Sequence, residues 1–292
     1  MVNRKSFDAF LVEKAVQEGC ILHDGEKVSS ITQEADSVSV HTGSISYKAR
    51  VMLGADGANG ITAKALHLMQ DAFIGISIES EIAVSASILE DWRHTVLLDL
   101  GSIPYGYGWV FPKKEHLSIG VAGPQSRSAE VNAYFQRFSS HWHQQMGFYN
   151  IQLKRGHRLP VLRKNAVLHR QRAILIGDAA GLTDPLSGEG IYYAIRSAQM
   201  AAHVIKNFLT DEQLYPLSNY QKLIEQDLIP NLQRAKAYLT LFNLYPRLFY
   251  SKLEKSKRLW IATCNLLQGK TSYREIGQSL GKLSFILDLL AW

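Results

Sequence analysis

The stretch GDAAGLTDPLSGEGIYYAI, Gly177–Ile195, combines carboxylates with a small-residue turn just after a buried strand predicted over Ala173–Ile176. Asp178 follows that strand directly and could hold hydroxyl groups by charge-assisted hydrogen bonds. Glycines let a backbone approach a flat ligand closely. They stand here at Gly177, Gly181, Gly188 and Gly190.

A helix predicted from about Ser187 to Phe208 begins within this stretch. Its free N–H groups and its dipole favour partial negative charge on a ligand. FAD offers a polyol chain, phosphates and an electron-accepting ring, and so meets all of these demands. An ordinary strand–turn–helix junction with a capping carboxylate fits the residue types as well, and the stretch alone leaves both interpretations open.

The rest of the chain predicts a mixed α/β fold. SFDAFLVEKAVQEG predicts a helix with Ser6 as its N-cap and Gly19 as its stop. Short strands are expected over residues 28–54, an antiparallel sheet over 72–123 and a helix near 128–140. The remainder after Tyr215 is mostly helical, and Pro216, Pro230 and Pro246 mark breaks or starts.

The segment IPYGYGWVFPKK places three aromatic residues at alternate positions of one predicted strand. Alternation puts Tyr107, Trp109 and Phe111 on the same face. Such a row can wall a channel for a long apolar chain, or it can be ordinary core.

These segments resemble known flavoprotein motifs. GDAAGLTDPLSGEGI is similar to the second FAD fingerprint of p-hydroxybenzoate-hydroxylase-type flavoproteins, and its D-P-x-x-G-E-G-I portion resembles the geranylgeranyl reductase family. IPYGYGWVFP fits that family's P-x-x-Y-x-W-x-F-P pattern. The resemblance implies that Asp178 holds the ribityl chain, that Gly190 and Ile191 approach the isoalloxazine, and that the aromatic row binds substrate.

Two further motifs add cofactor contacts by the same resemblance. VMLGADGANG resembles the family's Asp-Gly motif and places Asp56 and Gly57 beside FAD, although Gly60 and Ala63 stand where the family has Ser and Arg. RKSFDAFLVEKAVQEG resembles the start of a helix in that family. The resemblance implies that Arg4 approaches FAD and that the backbone near Val28 lies along the edge of the adenine ring.

The resemblance implies an incomplete FAD/NAD(P)-binding Rossmann-like domain over 1–70 and 165–210, an antiparallel-sheet substrate domain over 71–164 and a helical C-terminal region over 211–292. It implies reduction of isoprenoid C=C bonds by hydride transfer from reduced FAD, with NADPH or another low-potential donor recharging the flavin. No residue is assigned as the proton donor. Tyr107 is a candidate, although packing accounts for it better.

The family's opening G-x-G-x-x-G strand–turn is expected to be missing before Arg4, through truncation, a mis-called start or a split gene. We therefore expect weak or no FAD binding by this chain alone.

The net charge is +6, with a pI near 9.2, and no recognised nucleic-acid module accompanies the basic residues. Cys20 and Cys264 show no pairing pattern, which suits a reducing, cytoplasmic compartment. His141 and His143 lack further ligands, so no metal site is predicted. Basic residues precede Trp260, and an apolar stripe ends the chain; they favour either peripheral membrane contact or a packed helical subdomain. The basic residues are Lys252, Lys255, Lys257 and Arg258, and the stripe is Leu283, Ile286, Leu287 and Leu290.

Three functions remain open from the sequence: a geranylgeranyl-type reductase acting on a prenyl lipid, a flavin monooxygenase or halogenase on the same fold, and an inactive remnant or binding module. The Tyr-Trp-Phe-Pro strand favours the first, and the missing opening segment favours the last.

Overall fold

The computed structural model describes residues 3–68, 73–147, 151–161 and 166–279. Within these, the chain divides into two compact units. Unit 1 comprises Met1–Ser29, His41–Ser46 and Ile76–His157, and unit 2 comprises Ser30–Val40, Tyr47–Gly75 and Arg158–Trp292.

The described residues form ten helices and eleven strands. The helices are α1 Arg4–Gln17, α2 Thr62–Ala65, α3 Ala86–Trp92, α4 Ser128–Met146, α5 Ile191–Thr210, α6 Asn219–Asp227, α7 Ile229–Leu244, α8 Pro246–Lys255, α9 Lys257–Leu267 and α10 Tyr273–Ser279. The strands are β1 Ser30–Gln33, β2 Val38–His41, β3 Ser46–Ala49, β4 Met52–Gly54, β5 Phe73–Ala83, β6 Leu97–Leu100, β7 Tyr107–Pro112, β8 His116–Pro124, β9 Ile151–Val161, β10 His169–Arg170 and β11 Ala173–Leu175. Strands β1, β2 and β3 lie side by side in that order, as expected of a small meander.

Unit 1 is organised by a five-stranded sheet of order β6-β7-β8-β5-β9. The pairs β6–β7 and β7–β8 are antiparallel, with Trp109 opposite Gly120 and Phe111 opposite Ser118. One face packs against α4, because residues such as Val110 and Ile119 alternate toward Tyr134 and Phe138 of that helix in one buried cluster. The other face of the sheet is therefore the one that carries Trp109 and Phe111.

Unit 2 is organised around β11, which pairs in parallel with β4 and antiparallel with β10. All three residues of β11 are buried, and α5 and α6 pack around them in one cluster. The Tyr220 hydroxyl donates a 2.9 Å hydrogen bond to the carbonyl oxygen of Leu175, which fixes α6 to the end of the strand. This packing positions the segment that follows β11.

The mixed α/β fold predicted from the sequence is confirmed, but two helix starts differ. The N-cap of α1 is Asn3, whose side chain accepts from the Ser6 N–H at 3.2 Å, so the prediction of Ser6 as the cap is wrong. Helix α5 begins at Ile191 and not near Ser187, because the preceding residues form a closed loop. The C-terminal stripe, from Leu283 to Leu290, lies outside the described residues.

Candidate functional site

The fingerprint segment, Gly177–Ile195, runs from the end of β11 into α5 through a 3₁₀ turn at Gly177–Ala180. Gly177 and Gly181 have φ values of +54° and +70°, and Gly188 has +71°. Side chains rarely adopt this region of backbone conformation, so these glycines are needed for the turn itself. The Gly177 N–H donates to the buried Ser197 Oγ at 3.0 Å, which ties the turn to α5.

Asp178 and the first residues of α5 lie together. A methyl group on Gly190 would lie 2.9 Å from Asp178 Oδ1, so a side chain at this position would displace the carboxylate. Thr183 Oγ1 donates to the same oxygen at 3.2 Å. Asp178 is half-buried, and it can accept further hydrogen bonds from ligand hydroxyl groups at the end of the strand.

A closed loop, Asp184–Glu189, separates the turn from the helix. Asp184 Oδ1 accepts from the N–H groups of Leu186 and Ser187 at 2.8 and 2.9 Å. The Asp184 N–H donates to the Glu189 carbonyl, and the Gly188 N–H donates to the Asp184 carbonyl. Asp184 is only 4% exposed, and burial raises the pKa of its carboxyl group. Bonds among its own residues therefore close the loop.

Glu189 is a site residue that the sequence reasoning did not single out. Its Oε1 accepts from the Tyr192 N–H at 2.7 Å, so the carboxyl group caps the first turn of α5. Burial raises the pKa of Glu189, and the neighbouring charge of Asp184 raises it further. A glutamate directly before the Gly-Ile that opens a helix was the available signal for this cap.

Two tyrosines join the loop to the C-terminal helices. Tyr193 is buried, its hydroxyl accepts from Asn231 Nδ2 on α7 at 2.9 Å, and burial raises its pKa. Tyr273 on α10 is hydrogen-bonded to Asp184, and burial raises its pKa too. The C-terminal helices of unit 2 thus support the fingerprint loop, which the sequence did not reveal because Asp184 and Tyr273 are far apart along the chain.

The Asp-Gly motif forms a second turn of unit 2. Asp56 Oδ2 accepts from the N–H and the hydroxyl of Thr62 at 2.9 and 2.8 Å, at the start of α2. Gly57 has φ of +71°, and a methyl group on Gly60 would overlap the Asp56 carboxyl group. In this conformation a side chain at position 60 would displace the Asp56 carboxyl group. The Asp56 carboxylate holds its own turn, and its role toward FAD stays a prediction.

The predicted cofactor contacts Arg4 and Val28 lie in unit 1. Arg4 is exposed and its Nε and Nη2 each lie 3.0 Å from a carboxylate oxygen of Asp8 one turn later. Val28 is half-buried just before β1. Their contact with FAD stays a prediction.

The aromatic row, Tyr107, Trp109 and Phe111, lies on one face of β7 as alternation predicts. The ring centroids are 5.7 Å apart for Tyr107 and Trp109, and 5.9 Å apart for Trp109 and Phe111. Trp109 is 7% exposed, and its indole N–H donates to Ser118 Oγ at 3.1 Å. The row belongs to unit 1, whereas both glycine turns belong to unit 2.

In the described part of the chain, no three His, Cys, Asp or Glu side chains are grouped as metal ligands. Both cysteines are free. None of the described helices is both long and apolar enough to cross a membrane.

The fold is that of the FAD-binding flavoproteins. A geranylgeranyl bacteriochlorophyll reductase-like protein of Thermoplasma acidophilum superposes with a TM-score of 0.71 at 23% identity, over 82% of this chain and 63% of that one. The flavin-dependent halogenase CmlS superposes with a TM-score of 0.67 at 20% identity, over 84% of this chain and 47% of that one. At these identities the likeness shows the fold alone.

The model of the family described as lycopene cyclase protein matches residues 1–262, and the chain belongs to this family. It is 31% identical over 236 residues to an uncharacterized protein of Methanosarcina barkeri, covering 80% of this chain and 59% of the relative. It is 26% identical to the geranylgeranyl diphosphate reductase of Synechocystis, covering 91% of this chain and 67% of the relative. The Synechocystis relative confirms the resemblance to geranylgeranyl reductases. The chain spans about three-fifths to two-thirds of the length of these two relatives.

Proposed function

We propose that the protein is an FAD-dependent oxidoreductase that saturates C=C bonds of a geranylgeranyl or other isoprenoid substrate. The observation that carries the proposal is the placement of the Asp178 carboxylate against Gly190, at the start of α5. The segment around them is held by hydrogen bonds within the loop and by the bond from Gly177 to Ser197. The Synechocystis relative, a geranylgeranyl diphosphate reductase, supports the choice of substrate class.

The residues of the fingerprint fit the cofactor. A half-buried carboxylate offers acceptors to a polyol chain, and a glycine beside it leaves no side chain between backbone and ligand. When bound, FAD in its reduced form supplies the hydride for the reduction, and NADPH or another low-potential donor reduces the flavin again. The assigned cofactor contacts are Arg4, Val28, Asp56, Gly57, Gly177, Asp178, Gly181, Gly188, Gly190 and Ile191.

The protein's own groups act by binding and orientation. Asp178 accepts hydroxyl hydrogen bonds, and the N-terminus of α5 orients the polar edge of the ring. Glu189 already caps the first turn of that helix, so its carboxyl group adjusts the charge that the helix presents. The aromatic row binds the isoprenoid chain and excludes water by burying apolar surface.

A direct test uses the purified chain with excess FAD and dithionite, without oxygen, and either geranylgeranyl diphosphate or a digeranylgeranylglycerophospholipid. Mass spectrometry is expected to show the gain of two hydrogen atoms for each double bond saturated. The matched variants are Asp178→Ala, expected to lose turnover, and Asp227→Ala, which removes only an exposed ion pair to Arg196. In a parallel assay in air with NADPH in place of dithionite, an oxygen-dependent hydroxylated or halogenated product would contradict the reductase. In the anaerobic assay, an unchanged substrate with bound FAD would favour a binding module.

The proposal includes peripheral contact with an anionic membrane through α8 and α9. Neither helix buries a single residue, and Leu248 and Trp260 are 58% and 56% exposed. Basic residues surround them, with Glu254 as the one acidic residue of these two helices: Arg247, Lys252, Lys255, Lys257 and Arg258. Exposed apolar side chains between basic residues are typical of surfaces that rest on anionic headgroups.

Vesicle sedimentation tests this contact. Binding is expected to vesicles containing phosphatidylglycerol and to be weak with phosphatidylcholine alone. Each basic residue contributes about 1 kcal/mol, so reversing Lys255 and Lys257 to Glu should weaken binding more than about tenfold. Lys222→Glu, on α6, is the control for charge. Equal binding by the double variant, or self-association without vesicles, would contradict a membrane role.

A further inference from the structure

A chain of hydrogen bonds crosses the sheet of unit 1 from the aromatic row to a titratable pair. Trp109 Nε1–H donates to Ser118 Oγ at 3.1 Å, and the Ser118 hydroxyl donates to Glu79 Oε2 at 3.1 Å. The other oxygen of Glu79 lies 3.4 Å from His157 Nε2. Each step moves one strand across the sheet, from β7 to β8, β5 and β9.

Burial and close packing hold this series of hydrogen bonds in place. Ser118 is 1% exposed, so its hydroxyl has no water to replace either partner. A methyl group on Gly120 would overlap the indole of Trp109, so the glycine lets the ring lie flat over β8 toward Ser118. The hydroxyl binds the carboxylate and not the imidazole, which excludes a serine–histidine nucleophile.

Glu79 is an anion in this setting. The hydrogen bond from His157 lowers its pKa, the bond from Ser118 lowers it further, and the charge of Lys113 acts in the same direction against burial. A charged acceptor roughly doubles the strength of the bond from Ser118 and fixes which way that hydroxyl points. The serine oxygen is then left with its lone pairs directed to the indole N–H.

We propose, on the basis of the proposed function, that Glu79 is a positioning residue: through Ser118 it holds the indole of Trp109 in the plane that the aromatic row needs to bind an extended isoprenoid. The row depends on that plane, because Trp109 stacks on Phe111 with an interplanar angle of 24° and lies between its two neighbours. A rotated indole would break the continuous apolar surface. His157 supports Glu79 from the partly exposed side.

The same face supplies a matched control. Glu81 lies two residues further along β5 and pairs with His116 at 3.7 Å. It is also a glutamate–histidine pair, and its glutamate lies on the same strand as Glu79. Among the described residues, no hydrogen bond joins Glu81 to Ser118 or Trp109. Glu81→Gln therefore removes a comparable charge and leaves the indole in place.

Fluorine NMR of the chain labelled with 5-fluorotryptophan reads out the indole. The chain has five tryptophans, and Trp109→Phe assigns the line of Trp109. Glu79→Gln and Ser118→Ala are expected to move or broaden that line, whereas Glu81→Gln leaves it unchanged. Far-UV circular dichroism shows that each variant is folded, and the isosteric Glu79→Gln serves if Ser118→Ala is unstable.

Binding of geranylgeraniol completes the test. Glu79→Gln and Ser118→Ala are expected to lose about tenfold in affinity, as does Trp109→Ala, while Glu81→Gln binds like the parent chain. If Trp109→Ala binds normally, the substrate wall of the proposed function is wrong. If Trp109→Ala binds weakly but the Glu79 and Ser118 variants keep both affinity and the fluorine line, the wall stands and the positioning role of Glu79 is wrong.

Discussion

The fingerprint segment and helix α1 were both predicted to contact FAD, yet they are held by different kinds of interactions. The fingerprint bonds to residues distant in sequence, as in the contacts of Gly177 with Ser197 and of Asp184 with Tyr273. The side-chain hydrogen bonds described for α1 are local: the Ser6 N–H donates to Asn3, Arg4 donates to Asp8, and Lys14 donates to Gln17. None of the residues of α1 is buried. The fingerprint is therefore preorganised by tertiary structure, whereas α1 depends on helix propensity and its cap.

The comparison has a functional consequence. A preorganised segment binds a ligand without the cost of ordering it. The Arg4 guanidinium is exposed and already paired with Asp8, so a contact with FAD is expected to add little binding free energy. We therefore expect substitutions in the fingerprint to have larger effects than substitutions in α1.

The largest effect is expected for Asp184→Ala. The change leaves the half-buried N–H groups of Leu186 and Ser187 without their acceptor and removes the bond between Asp184 and Tyr273, at about 1 kcal/mol for each of the three. We expect the free energy of unfolding of the chain to fall by about 3 kcal/mol, measured by urea denaturation. Asp227→Ala, which breaks an exposed pair, should cost less than about 1 kcal/mol. Equal losses would show that the loop is not preorganised.

Asp184→Asn keeps an oxygen acceptor and removes the charge. Burial raises the pKa of Asp184 above its ordinary 3.8, so the folded chain binds this proton more tightly than the unfolded chain. The stabilisation that this bound proton gives the folded chain is fully present below pH 3.8 and is lost as the pH rises through the pKa of Asp184 in the folded state. The variant should thus lose less stability than the parent as pH rises from acidic to neutral. Unfolding midpoints measured across that range check this, and an unchanged slope would contradict it.

The sequence predicted what local patterns control and missed what tertiary contacts control. Alternation was enough to place Tyr107, Trp109 and Phe111 on one face, because a strand has a fixed period. Local pattern was not enough to place the start of α5. The residues before Ile191 form a loop closed by backbone hydrogen bonds at Asp184, and the sequence pattern does not distinguish that loop from a first helical turn. The partner of Asp184, Tyr273, lies 89 positions later (273 − 184), and no local pattern joins them.

Flavin binding distinguishes the two regions directly. Asp178→Ala removes a charged acceptor for ligand hydroxyls, and we expect the affinity for added FAD to fall by about tenfold or more. Arg4→Ala should lower it by less than about threefold, because the Arg4 charge is exposed to solvent and already paired with Asp8. Quenching of flavin fluorescence measures both affinities. A larger effect at Arg4 would reverse the comparison and make α1 the principal contact.

The smallest effect is expected at the cap of α1. Asn3→Ala removes the side-chain acceptor of the Ser6 N–H and should destabilise this helix by about 1 kcal/mol, seen as faster hydrogen exchange of its first-turn amides. Ser6→Ala is the matched control, because Ser6 is the residue that the sequence pattern had predicted as the cap. Since its N–H and not its hydroxyl takes part in the cap, exchange in the first turn should be unchanged in this variant. Faster exchange in Ser6→Ala than in Asn3→Ala would place the helix start at Ser6, and α1 would then be shorter and still less able to hold Arg4 toward a ligand.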